Sequence, residues 1–419
     1  MKNGSHILLL IFLLLVPAGS SGRQSGQPFS EDRARLNALS AQRSEALFNL
    51  DYEKAHQVSA QICREFAEHP ACPHSLASLI WIEKMNESRR LQSSLYSSKS
   101  FYTKTEDKVD PKLIEEFRDH IRQAKRLAKA RLKQNPKDAE ALYYLGAAEG
   151  LNAAFSATIQ RSFMSALSDG SSSVDHHREV LKLDPNYREA ELTIGLYDYA
   201  VGSLPLPVKL LVSLGGVRGS KKRGIERLER LALESQRGGD DAKVLLIMIL
   251  KREKRYADAL KYARQLAESY PRNYLFKLEV ADALVLKAVN ARKARIEADA
   301  SSAAREAFAI YESLLQNNKT LDLSRQYDLI HLRYGEALLA AGQAERASVE
   351  FRAAIREPRA EQGITALAYL RNAQSLDLAG KRKEALHEYR GVLKRPDTYN
   401  THNEAKKGLQ EPFKGMTAN

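Results

Sequence analysis

Apolar and small residues recur along this chain with the spacing of paired amphipathic helices, from near the N-terminus to the C-terminus. The pattern is clearest in two adjacent copies, in which the glycine or alanine, aromatic and proline positions are all shifted by 38 residues. The first copy contains Gly335, Gly342, Ala347, Phe351 and Pro358, and the second contains Ala373, Gly380, Ala385, Tyr389 and Pro396. The chain is therefore expected to consist of repeated helix pairs.

Each of these positions has a packing role. Gly335 and Ala347 leave room for the two helices of a pair to approach closely, and Phe351 fills the space toward the next repeat. Gly342 lies where the first helix must end, because glycine accepts the left-handed conformation common at helix C-termini. Pro358 ends the second helix. The pattern resembles the tetratricopeptide repeat (TPR), whose signature of Leu-Gly, Ala-x3-Phe and Pro spans about 34 residues.

The resemblance implies an all-α fold, an α-α superhelix in which antiparallel helix pairs stack as a TPR-like solenoid. We expect about seven or eight pairs in a right-handed superhelix. Aromatic residues make up only 7% of the chain, so burial must come from many Leu and Ala contacts, which suits helix pairs better than a β-sandwich or barrel. The predicted divisions are a signal peptide (1–20), a disordered leader (21–30), degenerate TPR-like pairs (31–136), long-helix pairs with a Pro/Gly-rich insertion (137–238), regular TPR repeats (239–400), and a capping helix with a tail (401–419).

Three stretches depart from the regular spacing. One long helix is predicted over residues 75–96, followed by a polar segment. An apolar stripe at a spacing of four over 151–167 predicts a second long helix, which the Asp-Gly-Ser-Ser-Ser run at 169–173 then breaks. Two prolines and several glycines in 203–220 predict a kink, a short apolar helix, and a new helix capped by Ser220.

The N-terminal residues have the pattern of a secretory signal. Lys2 precedes an unbroken apolar run over 7–16, and small residues follow it up to Ser20. The run is too short to span a bilayer, which needs about 20 residues. We expect an exported protein, periplasmic or secreted, whose mature chain begins near Ser21; an uncleaved N-terminal anchor is the alternative.

The formal net charge is +13. Because Lys and Arg alternate with Glu and Asp along the predicted helices, this excess is interpreted as a solvated surface, and no nucleic acid partner is expected. A local basic cluster nevertheless lies at the start of the helix after Ser220. It comprises Arg218, Lys221, Lys222 and Arg223, and helix N-termini favour anions. An anion or an anionic lipid headgroup is the ligand it would take, and the spacing of a phosphate-binding P-loop is not met.

Cys63 and Cys72 are the only cysteines. In an oxidising compartment they are predicted to form one disulfide. A zinc set with His69 and His74, and free thiols in a reduced chain, are the alternatives. No motif for nucleophilic or metal-dependent catalysis is present. The chain is therefore predicted to be non-enzymatic, without cofactor or metal.

A concave groove lined by the first helix of each pair would accept a peptide or a helix. The repeat register predicts that this groove is lined by Tyr143, Leu196, Tyr199, Met248, Leu332, Glu336, Leu370 and Gln374. The leading hypothesis is a scaffold or adaptor that binds another protein or peptide in an extracytoplasmic compartment. The alternative is a peripheral membrane-associated TPR protein that contacts anionic lipid through residues 204–223. The pattern does not indicate the partner or the oligomeric state.

Overall fold

The structure is a computed structural model, and it describes residues 29–93, 109–214, 218–234, 238–316 and 326–415. These residues contain 18 α-helices and no strand, which confirms the all-α prediction. The predicted signal peptide lies outside the described residues, and so does the leader up to residue 28. The first helix already begins at Phe29. None of the helices in the described ranges is both long and apolar enough to cross a bilayer.

The chain divides into two compact units that do not follow its linear order. Unit 1 consists of Met1–Met85 and Val109–Ile249, and unit 2 consists of Asn86–Lys108 and Leu250–Asn419. A short early stretch of sequence therefore belongs to the unit that is otherwise built from the C-terminal repeats. The sequence pattern placed its divisions after residues 136 and 238 instead.

Unit 1 is a succession of packed helices. The helices are α1 (Phe29–Phe48), α2 (Tyr52–Glu65), α3 (Ala71–Glu87), α4 (Pro111–Gln134), α5 (Ala139–Thr158), α6 (Phe163–Leu183), α7 (Ala190–Gly202), α8 (Leu206–Leu214), α9 (Lys221–Glu234) and α10 (Gly239–Arg252). Helix α1 packs on α2, α5 packs on both α4 and α6, and α7 packs on both α6 and α9. The last residues of α3 and α10 belong to unit 2.

Unit 2 contains the regular repeats. Its helices are α11 (Tyr256–Ser269), α12 (Tyr274–Lys293), α13 (Glu297–Gln316), α14 (Tyr327–Ala340), α15 (Ala344–Arg356), α16 (Gln362–Leu378), α17 (Arg382–Leu393) and α18 (Thr401–Gln410). Each helix packs on the next along the chain, and α12, α14, α16 and α18 also contact one another in turn. These four helices therefore form one layer, with α13, α15 and α17 forming a second.

The packing roles predicted for Gly335, Gly342 and Ala347 are confirmed. Gly342 and Gly380 have φ of 79° and 73°, the left-handed conformation expected after a first helix. Ala347 is fully buried. A Cβ atom added to Gly335 would lie 2.5 Å from Phe351 Cε1, so only glycine permits this approach of α14 and α15.

The prediction of a helix break at 169–173 is wrong, because α6 runs through that stretch. The chain breaks earlier, between α5 and α6, where Arg161 has a φ of 54°. The small residues of α6 serve packing instead, and Ser173 Oγ donates a hydrogen bond of 2.7 Å to the Gly146 carbonyl of α5. A polar Gly/Ser run thus forms the close contact between two helices.

The Pro/Gly-rich insertion has the predicted organisation. Helix α7 ends at Gly202, α8 is short, and α9 begins at Lys221. Ser220 Oγ accepts a hydrogen bond of 3.4 Å from the Arg223 backbone N–H, as expected of an N-cap residue. Residues 215–217 lie outside the described residues.

Candidate binding site on unit 2

Three first helices of unit 2 each carry two polar residues that are three positions apart and therefore share a helix face. We call this set the polar ladder. It consists of Glu279 and Asp282 on α12, Arg333 and Glu336 on α14, and Arg371 and Gln374 on α16. Because these helices are neighbours in one layer, the six side chains form a continuous polar surface.

Hydrogen bonds and ion pairs join the ladder across the helices. Arg333 Nη2 lies 3.0 Å from Asp282 Oδ1, and Arg333 also pairs with Glu336. Arg371 donates to Glu336 Oε1 and to Gln374 Oε1, each at 2.9 Å. Burial opposes ionisation of Asp282, but the charges of Arg333 and Lys251 hold the pKa of this carboxyl below its usual value. Asp282 is therefore an ionised carboxylate in a buried setting.

Two further side chains support the ladder at its α12 end. The Tyr311 hydroxyl donates to Asp282 Oδ1 at 2.7 Å, and burial raises the pKa of Tyr311 well above its usual value. Lys251 is buried, and its Nζ lies 2.7 Å from Glu279 Oε2. Both contacts hold a carboxylate in a fixed orientation, with its other oxygen available to a second donor.

Residues 86–93 bond to Asp328, which lies on α14 outside the six ladder residues, and to Glu279 of the ladder. At one end, Arg89 Nε donates to Asp328 Oδ1 and Oδ2 at 3.1 and 3.2 Å, and Arg89 Nη2 donates to the Arg359 carbonyl at 3.4 Å. At the other end, Ser93 donates from its backbone N–H to Glu279 Oε1 and from its Oγ to Glu279 Oε2, both at 2.7 Å.

The contact is buried and specific in its chemistry. Arg89 is 7% exposed and Asp328 is 1% exposed. The Gln92 amide, also buried, donates to Asp282. The helix predicted over residues 75–96 ends at Glu87, because from residue 88 onward the chain makes turns and bonds to α12 and α14 instead. Arg89 itself has a φ of 59°.

The charges of the surface explain why an arginine lies there. Without residues 86–93, the surface carries the carboxylates of Glu279, Asp282, Asp328 and Glu336 against the cations Lys251, Arg333 and Arg371. Four negative groups face three positive ones, and Arg89 restores the balance. An unpaired buried carboxylate is costly, so this surface favours a ligand that brings a cation to Asp328.

The predicted groove residues are distributed unevenly. Glu336 and Gln374 belong to the polar ladder, and Leu332 and Leu370 are buried in the same two helices. The four predicted in unit 1, namely Tyr143, Leu196, Tyr199 and Met248, are all buried as well. Apolar positions on this face pack between helices rather than line a surface. A peptide-binding role for the eight residues stays a prediction.

The pattern missed Glu279, Asp282 and Asp328. A signal for the ladder was nevertheless present, since Arg333 and Glu336 recur as Arg371 and Gln374 at the same shift of 38 residues. Two polar residues that recur at the same positions of successive repeats indicate a helix face that is not used for apolar packing.

The basic cluster after Ser220 is partly used within unit 1. Arg223 donates two hydrogen bonds of 2.7 Å to the buried carboxylate of Asp198. Lys222 Nζ lies 3.8 Å from Glu226, Lys221 Nζ lies 5.9 Å from the centre of the Tyr199 ring, and Arg218 is exposed. Arg223 therefore fixes α9 on α7, and an anion-binding role for the cluster stays a prediction.

Cys63 and Cys72 form a disulfide, with a Cα–Cα distance of 4.7 Å. Both sulfur atoms are thereby used, so the alternatives of a zinc set and of free thiols do not apply. His74 is fully buried, and burial lowers its pKa to about 3. Among the described residues, no cluster of three or more His, Cys, Asp or Glu side chains is arranged to hold a metal ion.

No protein-family model and no curated protein matches the sequence. Several solved helical-repeat structures are similar to the chain. A human IFIT1 dimer with m7Gppp-AAAA is 13% identical, with a TM-score of 0.46, over 92% of this chain and 81% of that one. Yeast Tom70 is 13% identical, with a TM-score of 0.35, over 91% of this chain and 82% of that one. A tetratricopeptide repeat protein from Parabacteroides merdae is 14% identical, with a TM-score of 0.33, over 81% of this chain and 99% of that one.

These similarities agree with the TPR-type fold and concern the fold alone. They also correct one expectation. The expectation of no nucleic acid partner does not stand, because the IFIT1 structure to which this chain is similar holds m7Gppp-AAAA.

Proposed function

We propose that this TPR-type chain is a non-enzymatic scaffold that binds an extended, arginine-bearing segment of another polypeptide on the polar ladder of unit 2. The proposal rests on the way residues 86–93 bind to unit 2. Their side-chain and backbone donors contact Asp328 and the ladder as those of a bound peptide would. Side-chain and backbone donors of this segment meet carboxylates on two successive first helices. The partner segment takes the place of residues 86–93 when it binds.

The contacts define the chemistry of the partner. A guanidinium is required opposite Asp328, since it can donate to both carboxylate oxygens as Arg89 does. Three and four residues later, an amide and a hydroxyl with its own backbone N–H are required, in the places of Gln92 and Ser93. The recognised pattern is therefore Arg-x-x-Gln-Ser or a close analogue.

Residues 86–93 belong to the same chain as the site, and this covalent attachment sets the affinity that a competing partner needs. A segment attached to the same chain competes at an effective concentration of about 1 mM when its linkage is short and flexible. A peptide with the same contacts, added in solution, therefore shows an apparent Kd no tighter than about 1 mM while residues 86–93 are seated. A natural partner must offer further contacts, or residues 86–93 must first be released.

The test is the binding of a fluorescent peptide with the sequence of residues 86–93 to the full chain. In the recipient chain, Gln92→Ala with Ser93→Ala removes side-chain bonds to Asp282 and Glu279 and so makes residues 86–93 easier to displace; we call this variant the released chain. We expect this variant to bind the peptide at least tenfold more tightly than the wild type does. A peptide carrying alanine in the place of Arg89 is expected not to bind.

Two recipient variants serve as a matched pair. Adding Asp328→Asn to the released chain removes the carboxylate that holds the guanidinium and is expected to abolish peptide binding. Asp299→Asn removes an exposed carboxylate on α13 and is expected to leave binding unchanged. Equal effects of the two substitutions, or equal binding by wild type and released chain, would contradict the proposal.

The structure offers a specific observation for the membrane alternative as well. On α8, Leu206 is 76% exposed and Leu210 is 67% exposed, and residues four apart share a helix face. Under this second proposal, α8 inserts its leucines into an anionic bilayer. Leu206→Asp with Leu210→Asp should abolish flotation with phosphatidylglycerol vesicles, whereas Val349→Asp, at a 54% exposed position of α15, should not. Absence of wild-type flotation would remove this alternative.

We further propose that the protein works outside the cytoplasm. The apolar run at 7–16 supports export, and the disulfide between Cys63 and Cys72 supports an oxidising compartment. The intact mass of the exported protein is expected to correspond to a chain that begins near Ser21. A mass that includes Lys2 would contradict cleavage.

A further inference from the structure

One face of α4 in unit 1 is lined by cations. The adjacent face is buried, and the Phe117 ring stacks on that of Phe155 in α5 at a centroid distance of 3.9 Å. This stacking fixes α4 against α5. Beside it lies an open groove of 710 Å³ whose wall includes Asn152 of α5. We call it the basic groove, and its basic lining residues are Arg118, Arg122, Lys125, Arg126, Lys129 and Lys133.

Most of these cations are not neutralised by neighbouring carboxylates. Arg122 pairs with Glu115 and Asp119 at the helix surface, and Lys125 Nζ lies 3.0 Å from Glu149. The remaining four, Arg118, Arg126, Lys129 and Lys133, are exposed and have no ion pair with the part of the chain that the structure describes. The basic groove therefore carries excess positive charge.

Five of the six cations follow one another at intervals of three or four residues, which corresponds to about 5–6 Å along a helix axis. They are Arg118, Arg122, Lys125, Lys129 and Lys133, and the first and last are about 22 Å apart along that axis. Single-stranded nucleic acid is bound in positively charged grooves that track its backbone. The spacing of the cations is comparable to that of successive phosphates along an extended strand.

The lining also disfavours the other polyanions. Its apolar residues are only Ile121, which is 6% exposed, and Ala130. A protein partner would be expected to insert aromatic or large apolar anchors, and the groove offers them no pocket. A bilayer surface is too flat to follow a recess between two helices. Arginine and lysine along a groove suit a flexible phosphodiester chain.

We propose that the basic groove binds the phosphate backbone of a single-stranded nucleic acid without reading its base sequence. No aromatic side chain lines the groove, so the bases find no stacking platform there and binding rests on phosphate contacts. Such binding is strongly salt-dependent, because each neutralised phosphate releases counterions. This site is separate from the polar ladder, and neither proposal depends on the other.

The test uses the full chain and fluorescein-labelled oligonucleotides, dT12 and dA12, in anisotropy titrations from low to moderate salt. With four to six phosphates neutralised, log K should fall with log salt at a slope of about −3 to −4. The variant Arg126→Ala with Lys129→Ala and Lys133→Ala removes three contacts. It should bind at least tenfold more weakly at low salt and reduce the slope by about 2.

A charge-matched control separates a site from general attraction. Lys383→Ala with Arg390→Ala and Lys406→Ala also removes three exposed cations, from α17 and α18, and should leave the slope unchanged. Equal losses in the two triple variants would overturn the proposal. It would also be overturned by a tenfold preference for dT12 over dA12. Polyglutamate or phosphatidylglycerol vesicles that bind through the same three residues, with no oligonucleotide binding, would assign the groove to another partner and overturn it too.

Discussion

Replacing Arg89 by alanine should destabilise unit 2 far more than the loss of one surface ion pair would. Arg89 is 7% exposed and Asp328 is 1% exposed, so the substitution leaves a carboxylate buried without its cation. The Glu361 backbone N–H also donates to that carboxylate, at 2.9 Å, but it brings no positive charge. Breaking a buried pair by removing one partner typically costs about 3–5 kcal/mol.

A second substitution separates the charge from the packing. In Arg89→Ala with Asp328→Asn, the asparagine carbonyl still accepts from the Glu361 N–H, and the unpaired charge is gone. We expect the double variant to recover about 2 kcal/mol relative to Arg89→Ala, because the desolvated charge is the larger part of the penalty. A double-mutant cycle with Asp328→Asn alone gives the coupling energy.

Hydrogen exchange is the suitable assay, since a chain of two units need not unfold in one step. Protection should fall in α14 and in the turn before α16 and stay unchanged in α4 and α5. The control is Arg35→Ala, which removes an exposed ion pair with Glu65 in unit 1 and should cost at most about 1 kcal/mol. If Arg89→Ala cost no more than this control, or if the double variant recovered nothing, the interpretation of residues 86–93 as a buried, charge-matched segment would be refuted.

Three further predictions concern stability. Ala347→Leu should overpack α14 and α15 at a cost of about 1–3 kcal/mol and raise hydrogen exchange within 328–396 first; uniform loosening of the chain would contradict the repeat assignment. Burial lowers the pKa of His177 to about 4, so stability present above about pH 6.5 should be lost as pH falls toward 4, and urea titrations of His177→Gln should show a weaker dependence. Cys63→Ser with Cys72→Ser should cost about 2–3 kcal/mol in the chain-entropy model, seen as faster exchange in α2 and α3; unchanged exchange there would contradict a stabilising disulfide.

The sequence predicted those parts of the fold that depend on local chemistry. Gly342 marks a helix end because its backbone conformation is costly for other residues, and Pro358 lies two residues beyond the end of α15. The helix break predicted at 169–173 was wrong because contacts between helices, rather than local chemistry, decide the structure there. Gly and Ser disfavour a helix by propensity, but the bond from Ser173 to Gly146 and the close contact of α5 with α6 override that preference.

Less of the candidate site than of the fold could be predicted from the sequence. Glu336 and Gln374 could be placed on the ladder because they keep the repeat register. The seat of residues 86–93 could not be predicted, since Arg89 and Asp328 are 239 residues apart and Ser93 and Glu279 are 186 apart. No local sequence pattern indicates that residues 88–93 stop being helical and bind instead to helices of the C-terminal repeats.

The membership of residues 86–93 in unit 2 has a consequence for biosynthesis. Helical-repeat proteins usually form contacts between neighbours, so each repeat can fold as soon as the next has been made. Here the Arg89–Asp328 ion pair cannot form until Asp328 has left the ribosome, 239 residues after Arg89. Until then residues 86–93 remain without their carboxylate partners, open to chaperones and proteases. Unit 2 thus cannot be completed while α14 is still being synthesised, and a fragment that begins at residue 250 would lack a segment of its own fold.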